Sequence, residues 1–396
     1  MKDFVGEGAE AGRMHPVLAD LLAGGAPAAD RIDAALAGRH APLVEPGALT
    51  FLWRGEAETV ELLRWIHAGV DARPFARILG TDLWHLRVAA EDGGRFEYKI
   101  KVAHAHGENW ELDPLNPHRA ADPFGENSVA MTHGYAAPAW SRPQGAPAGR
   151  LTDLAVPSAV FGTTRHERIY LPANYAEDRP YPLVVIHDGG DYAGYAELTT
   201  SLDNLIHAGD VPPLVALLIQ AGDRMSEYPR GRRHARYVVQ ELLPALTARH
   251  AVSERPSDRV LMGASLGAVA SLATAFRFPG VFGGLVLKSG SFVLDPEKLR
   301  HRTHPVFARA HALLRAIARA PDLPPTRVFV STGELEGLAG ENRRLADILE
   351  ARGMDVMFKS SWDGHHWHAW RDQLRDALMW ALPGEGTSEE RNAHGD

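Results

Sequence analysis

The chain of 396 residues contains no cysteine. That excludes disulfide bridges, thiolate metal sites, iron–sulfur clusters and a cysteine nucleophile. Long apolar runs are missing as well, and nothing approaches the ~18 consecutive apolar residues of a membrane-spanning helix. The first thirteen residues, MKDFVGEGAEAGR, are acidic and Gly-rich, and the apolar run Val17–Ala23 is interrupted by Asp20. A secretory signal needs a basic segment followed by an unbroken apolar one, so the expectation is a cytoplasmic protein with no membrane partner. Positive charge is scarce: 42 Lys and Arg against 50 Asp and Glu leave a net charge of −8. Nucleic acid, which needs clustered positive charge, is therefore not an expected partner.

What remains is the composition of an ordinary globular protein, 45% hydrophobic and 23% charged, long enough for two or three domains. An Ala-rich lead-in of about 45 residues carries helical apolar spacing at Val17, Leu18, Leu21 and Leu22, then at Ile32, Ala35 and Leu36. From Leu49 the pattern changes to β-branched and aromatic residues alternating with polar ones, in Leu49–Gly55, Thr81–Val88 and Arg95–Val102, bounded by turns such as Glu91-Asp92-Gly93-Gly94. This predicts a small antiparallel, immunoglobulin-like β-sandwich within residues 1–145. The Pro-, Gly- and Ala-rich stretch Tyr135–Gly149 reads as a linker. Residues 151–383 alternate between short apolar runs and helical periods, which predicts a mostly parallel sheet with helices on both faces. Residues 384–396 read as a disordered tail.

The second half carries chemistry. Gly263-Ala264-Ser265-Leu266-Gly267 is a G-x-S-x-G motif directly after the strand Val260–Met262 and directly before a helix. In that context it is the nucleophile elbow of an α/β hydrolase: a side chain at 263 or 267 would clash in the tight turn, and Ser265 stands exposed at the strand end. A serine hydroxyl needs a base, and in this fold the order along the chain is Ser, then Asp or Glu, then His. The late loop Asp363-Gly364-His365-His366-Trp367-His368 supplies His365 as the first choice, with His366 and His368 in reserve. The spacing of these histidines is not that of a helical zinc motif, so no metal and no organic cofactor is expected. For the acid, Glu334 and Glu336 in the loop after Val328–Val330 compete on equal terms. Oxyanion donors are expected from the N–H of Leu266 and from the loop after Leu183–Ile186, at Gly190 with Gly189 as its rival. Four arginines between positions 224 and 233 make one locally basic loop in an acidic chain. Arg224, nearest the strand end, is the candidate for receiving an anionic substrate, with Arg–Glu pairing within the loop as the structural alternative.

These residues carry a resemblance. The chain is similar to the enterochelin (enterobactin) esterase family over residues 15 to 382. In the first half this rests on Ala41-Pro42-Leu43-Val44-Glu45-Pro46, Leu49–Gly55, Gly80-Thr81-Asp82-Leu83-Trp84 and Asp113-Pro114-Leu115-Asn116-Pro117. In the second half it rests on Asp188-Gly189, Arg224 with Glu227, Glu241–Pro244, Gly263–Gly267, Phe278-Pro279, Ser289-Gly290-Ser291-Phe292, and Gly364-His365 with Trp367, Trp370 and Arg371, which the wider family of feruloyl esterases and mycolyltransferases shares. The resemblance implies Ser265 as nucleophile and His365 as base. It favours Glu336 as the acid, because the family's acid lies three residues after the glycine matching Gly333. It also implies a small-molecule ester substrate, a ferric catecholate siderophore. A feruloyl- or acetyl-type esterase with a carbohydrate-holding first domain is the alternative, and a non-catalytic binding protein on the same fold a remote one. The chain departs from the pattern at His366, where Asp or Asn is usual, and at Ala268. It departs too at Tyr192 and Val293, where Trp is common; Tyr192 thereby becomes a candidate substrate contact in an aromatic pocket.

Overall fold

The computed structural model describes residues 14–66, 69–300, 304–320 and 326–382. The acidic leader up to Arg13 and the tail expected at 384–396 lie outside the described residues. Two compact units are present. The first comprises residues 1–136 together with Glu334–Gly337 and Ser361–His366, and the second holds the rest.

The first unit opens with helices α1 (Pro16–Leu22) and α2 (Ala29–Leu36). Leu18, Leu21 and Ile32 on these helices bury against Leu43, Leu52 and Leu83. Among the described residues ten strands follow: β1 (Leu43–Glu45), β2 (Ala48–Arg54), β3 (Thr59–Ile66), β4 (Gly69–Pro74), β5 (Ala76–Arg77), β6 (Leu83–Ala89), β7 (Arg95–His104), β8 (Gly107–Glu111), β9 (Arg119–Asp122) and β10 (Gly125–Met131). They form two antiparallel sheets, β1-β2-β6-β5 and β4-β3-β7-β10-β9, with β8 also paired to β7. Phe51 and Trp84 from one sheet and Leu62, Phe96, Tyr98 and Ile100 from the other share one apolar core, as the alternating pattern predicted.

The motifs of this half are staples of the sandwich. Arg54 forms a bidentate pair with Asp82. Trp53 Nε1 donates to Glu111 at 2.8 Å. In the Asp113–Pro117 motif, Asp113 accepts from the Tyr98 hydroxyl at 2.6 Å, and Asn116 donates to that same oxygen and to the Val129 carbonyl. Burial pushes the Asp113 carboxyl up to about 6, against the pull of the Tyr98 hydrogen bond.

The second unit is an eight-stranded sheet in the order β11-β12-β14-β13-β15-β16-β17-β18. Its strands are β11 (Arg150–Ser158), β12 (Thr163–Leu171), β13 (Leu183–His187), β14 (Val215–Ile219), β15 (Arg259–Ala264), β16 (Gly284–Lys288), β17 (Arg327–Gly333) and β18 (Asp355–Ser361). The run from β14 to β17 is parallel, and β11 and β12 are antiparallel. The helices are α3 (Gly189–Tyr195), α4 (Leu198–His207), α5 (Arg224–Arg230), α6 (Arg232–Arg236), α7 (Leu243–Thr247), α8 (Leu266–Arg277), α9 (Pro296–Arg300), α10 (Pro305–Arg319), α11 (Ala339–Ala351), α12 (Trp367–Asp372) and α13 (Leu374–Ala381). Alternate residues of β13 enter opposite cores. Leu183 and Val185 share theirs with α8, α10 and α11, while Val184 and Ile186 share theirs with α4 and α13. Strands covered on both faces need apolar side chains at every position, which is why they read as unbroken apolar runs.

Three details differ from the sequence reading. The stretch 135–149 is not one linker: from residue 137 it belongs to the second unit, where Asn204 of α4 donates to the carbonyls of Trp140 and Arg142. The helix expected over Arg236–Leu243 is a π-helical turn, Tyr237–Leu242, ahead of α7. Pro244 lies just beyond it and has no N–H to continue an α-helical ladder. The final helix expected over Trp370–Trp380 starts earlier, at Trp367, and breaks at Gln373.

Candidate active site

In the second unit, β15 runs into α8 through Ser265, whose φ is 56° and ψ −121°. A non-glycine residue in that region carries about 1–3 kcal/mol of strain. Such strain persists only where the surroundings impose it, and here they do. A Cβ on Gly263 would overlap the Gly267 carbonyl, and one on Gly267 would lie 3.1 Å from the Asp188 carboxylate. Ser265 is 2% exposed, and its hydroxyl lies 3.1 Å from that of Ser291. Its backbone N–H donates to Lys288 at the end of β16, and its carbonyl accepts from Ser291. Ser291 was not singled out in the sequence; its only signal was the Ser289–Phe292 motif.

Leu266 is the first residue of α8 and Gly190 the second of α3. N–H groups in a first helical turn have no acceptor within the helix, which leaves both able to receive an oxyanion. Gly189, the rival, is buried, and a Cβ there would sit 2.5 Å from Leu218 of β14. Asp188 precedes these glycines at φ 56°.

Asp188 is also where the basic loop arrives. Arg224 Nε donates to Asp188 Oδ2 at 2.9 Å, and the Tyr228 hydroxyl donates to Oδ1 at 3.0 Å. Burial raises the Asp188 carboxyl, while Arg224 opposes that shift. Arg224 therefore stands beside the elbow, one-third exposed, held by the Asp188 carboxylate. Glu227, the partner expected for an arginine of the loop, instead takes Arg165 at 2.9 Å. Arg233 binds the Val160 carbonyl. Tyr192 is 1% exposed, with its ring edge-on to Trp367 at 5.2 Å; it is a buried support of that ring.

The three late histidines take three different carboxylates. In the first unit His365 Nδ1 lies 2.8 Å from Glu336 Oε2, and both residues are buried. Glu334, two residues earlier, is exposed. His366 packs on Glu97 of β7, and burial lowers its pKa to about 4. His368 belongs to the second unit, where its Nε2 lies 3.4 Å from Glu197, a residue that also binds Arg371 at 3.0 Å. Among the described residues no cluster of three or more His, Asp or Glu could hold a metal ion.

The second unit also contains a buried lysine. Lys288 Nζ donates to the Trp370 carbonyl at 2.6 Å, and burial pulls its pKa down to about 7. The neighbouring Ser289 hydroxyl accepts from Trp370 Nε1 at 2.9 Å. Together they tie α12 to the end of β16.

The chain is similar to several known esterases. The iron(III) enterobactin esterase of Dickeya dadantii is 26% identical over 85% of this chain and 88% of its own length. The enzyme of the same name from Escherichia coli O6:H1 is 28% identical over 62% of this chain and 70% of its own. The crystal structure of the enterobactin esterase from Shigella flexneri, in the presence of enterobactin, matches the fold with a TM-score of 0.70 at 22% identity, covering 88% of this chain and 97% of that one. The ferric enterobactin esterase from Salmonella typhimurium matches at 0.69 and 24%, covering 84% and 93%. A family model described as "Putative esterase" matches residues 158–381, more than half of the chain. The chain belongs to that esterase family and is an α/β-fold carboxylic ester hydrolase.

Proposed function

We propose that the chain hydrolyses the ester bonds of a ferric catecholate siderophore through a serine triad and an acyl-enzyme. Ser265 is the nucleophile, His365 the general base, and Glu336 the acid that orients it. The Ser265 hydroxyl attacks the ester carbonyl carbon as its proton passes to His365 Nε2. Glu336, on the opposite ring nitrogen, fixes the tautomer and stabilises the imidazolium. The tetrahedral oxyanion is received by the N–H groups of Leu266 and Gly190. Collapse breaks the bond to the alkoxide, which takes the proton back from His365. A water molecule, deprotonated by the same imidazole, then attacks the acyl carbonyl, releasing the carboxylic acid and restoring Ser265.

The observation that carries this reading is the pairing of buried His365 with buried Glu336, while Glu334 is exposed and His366 and His368 are engaged elsewhere. The siderophore as substrate rests on the relatives named iron(III) enterobactin esterase, which match across most of the chain. Arg224 beside the elbow supplies a cation for an anionic substrate. Initial rates on a ferric catecholate trilactone, its iron-free form, a feruloyl ester and an acetyl ester test the proposal. The expected outcome is a kcat/KM on the catecholate trilactones at least tenfold above the other two. Preference for the feruloyl ester would overturn the assignment of substrate while leaving the esterase.

A further inference from the structure

We infer that Arg95 and Glu97 of β7, acting through His366, are positioning residues for His365. The inference rests on the reading of His365 as the base. All the groups concerned lie in the first unit, which includes the loop Ser361–His366.

The loop is fastened to β7 at successive points. The Arg95 backbone N–H donates to the Trp362 carbonyl at 3.2 Å. The Trp362 ring meets Phe96 edge-on at 5.6 Å, and a side chain at Gly94 would collide with Trp362. The Arg95 guanidinium reaches Glu97 at 3.2 Å and Asp363 at 3.9 Å, and each of these three side chains is at least nine-tenths buried. Asn127 of β10 donates to the other Glu97 oxygen at 3.0 Å.

His366 is held at both ring nitrogens by one residue. The Glu97 backbone N–H donates to His366 Nε2 at 3.2 Å, so Nε2 is the unprotonated nitrogen. Nδ1 then carries the hydrogen and faces Glu97 Oε2 at 3.5 Å. The His366 N–H also donates to the Gly364 carbonyl, and the Gly364 N–H to the Asp363 carboxylate at 2.6 Å. A Cβ on Gly364 would overlap the His366 ring. The backbone of His365 is thus clamped on both sides, by Asp363 on Arg95 and by His366 on Glu97, while Glu336 fixes its ring.

A buried ion network is costly, and an apolar replacement of the same shape is often as stable. What this network does supply is a fixed position for the Glu97 carboxylate, whose two oxygens accept from Arg95 and Asn127. A general base needs a fixed position, since misplacement by about 1 Å can cost on the order of 100-fold in rate. At position 366, where the resemblance leads one to expect Asp or Asn, this chain has a ring long enough to span both the backbone and the carboxylate of Glu97.

The test is steady-state kinetics of Glu97→Gln, His366→Asn and the double variant, with thermal unfolding measured on each. The expected result is a kcat lower by about 10- to 100-fold with KM within threefold, and a double variant no slower than the slower single one. Folded single variants with kcat within twofold of the parent would reduce the network to a structural role and overturn the inference. So would effects that multiply in the double variant. Should Glu97→Gln not fold, ¹⁵N shifts of the His366 ring in the unmodified protein decide: a protonated Nε2 overturns the inference, and a protonated Nδ1 supports it. His365→Ala separates the two readings. If it retains turnover, the assignment of the base falls; if it is inactive while the other variants are normal, only the positioning role falls.

Discussion

At the scale of single residues, the chemistry depends on distinctions that spacing does not carry. Glu334 and Glu336 sit two apart in one loop and are chemically identical, so the sequence leaves them equal. Burial separates them: Glu336 is 5% exposed and hydrogen-bonded to His365, and Glu334 faces solvent. The account predicts that Glu336→Gln lowers kcat by about 10²–10⁴-fold, through loss of the correct tautomer and of imidazolium stabilisation. Glu334→Gln should stay within twofold of the parent, since Glu336 and not the exposed Glu334 lies on His365. Parallel kcat measurements check this, and the reverse ranking would reassign the acid. The tight strand-to-helix turn at Ser265 was legible because its motif has a steric cause that the structure contains: Gly263 has no room for a side chain. The Glu97 partner of His366 was not legible, since 269 positions separate the two and Glu97 carries no local signal.

At the scale of elements, legibility follows from which faces are buried. Strands β13 to β16 read as apolar runs because each is covered on both sides. Strand β11 escaped notice because it lies at the sheet edge, alternates between buried and exposed positions, and contains Pro157, a residue edge strands tolerate. The loop that pairs with β7 makes its own prediction about pH. His366 is neutral when folded, with a pKa of about 4 against an ordinary value of 6.5. Between those values the unfolded chain binds a proton that the native state refuses. Stability therefore falls as pH drops from 6.5 towards 4, by up to about 3 kcal/mol. Burial lowers His187 as well, with the same sign. His366→Asn should flatten the slope of unfolding free energy against pH in this window without abolishing it. Urea unfolding at pH 7, 5.5 and 4.5 measures that slope, and an unchanged slope would show that His366 does not titrate as its burial implies.

At the scale of the whole molecule, the absence of cysteine leaves hydroxyl, imidazole, carboxylate and amine groups for nucleophilic chemistry. The global charge of −8 concealed a basic loop, whose Arg224 proves to be anchored on Asp188 next to the elbow. The division into a sandwich and an α/β half was readable because the hydrophobic period changes from two to alternating strand and helix along the chain. The capture of Glu334–Gly337 and Ser361–His366 by the first unit was not, since short loops carry no period. The central claim is that Ser265, activated by His365, is the nucleophile of an ester hydrolase. Reaction with a serine-directed fluorophosphonate, followed by intact mass and peptide mapping, tests it most directly. The account predicts one phosphonyl group per chain, located on Ser265, with labelling slowed at least 100-fold in His365→Ala. Absence of labelling at Ser265, or equally fast labelling without His365, would contradict it.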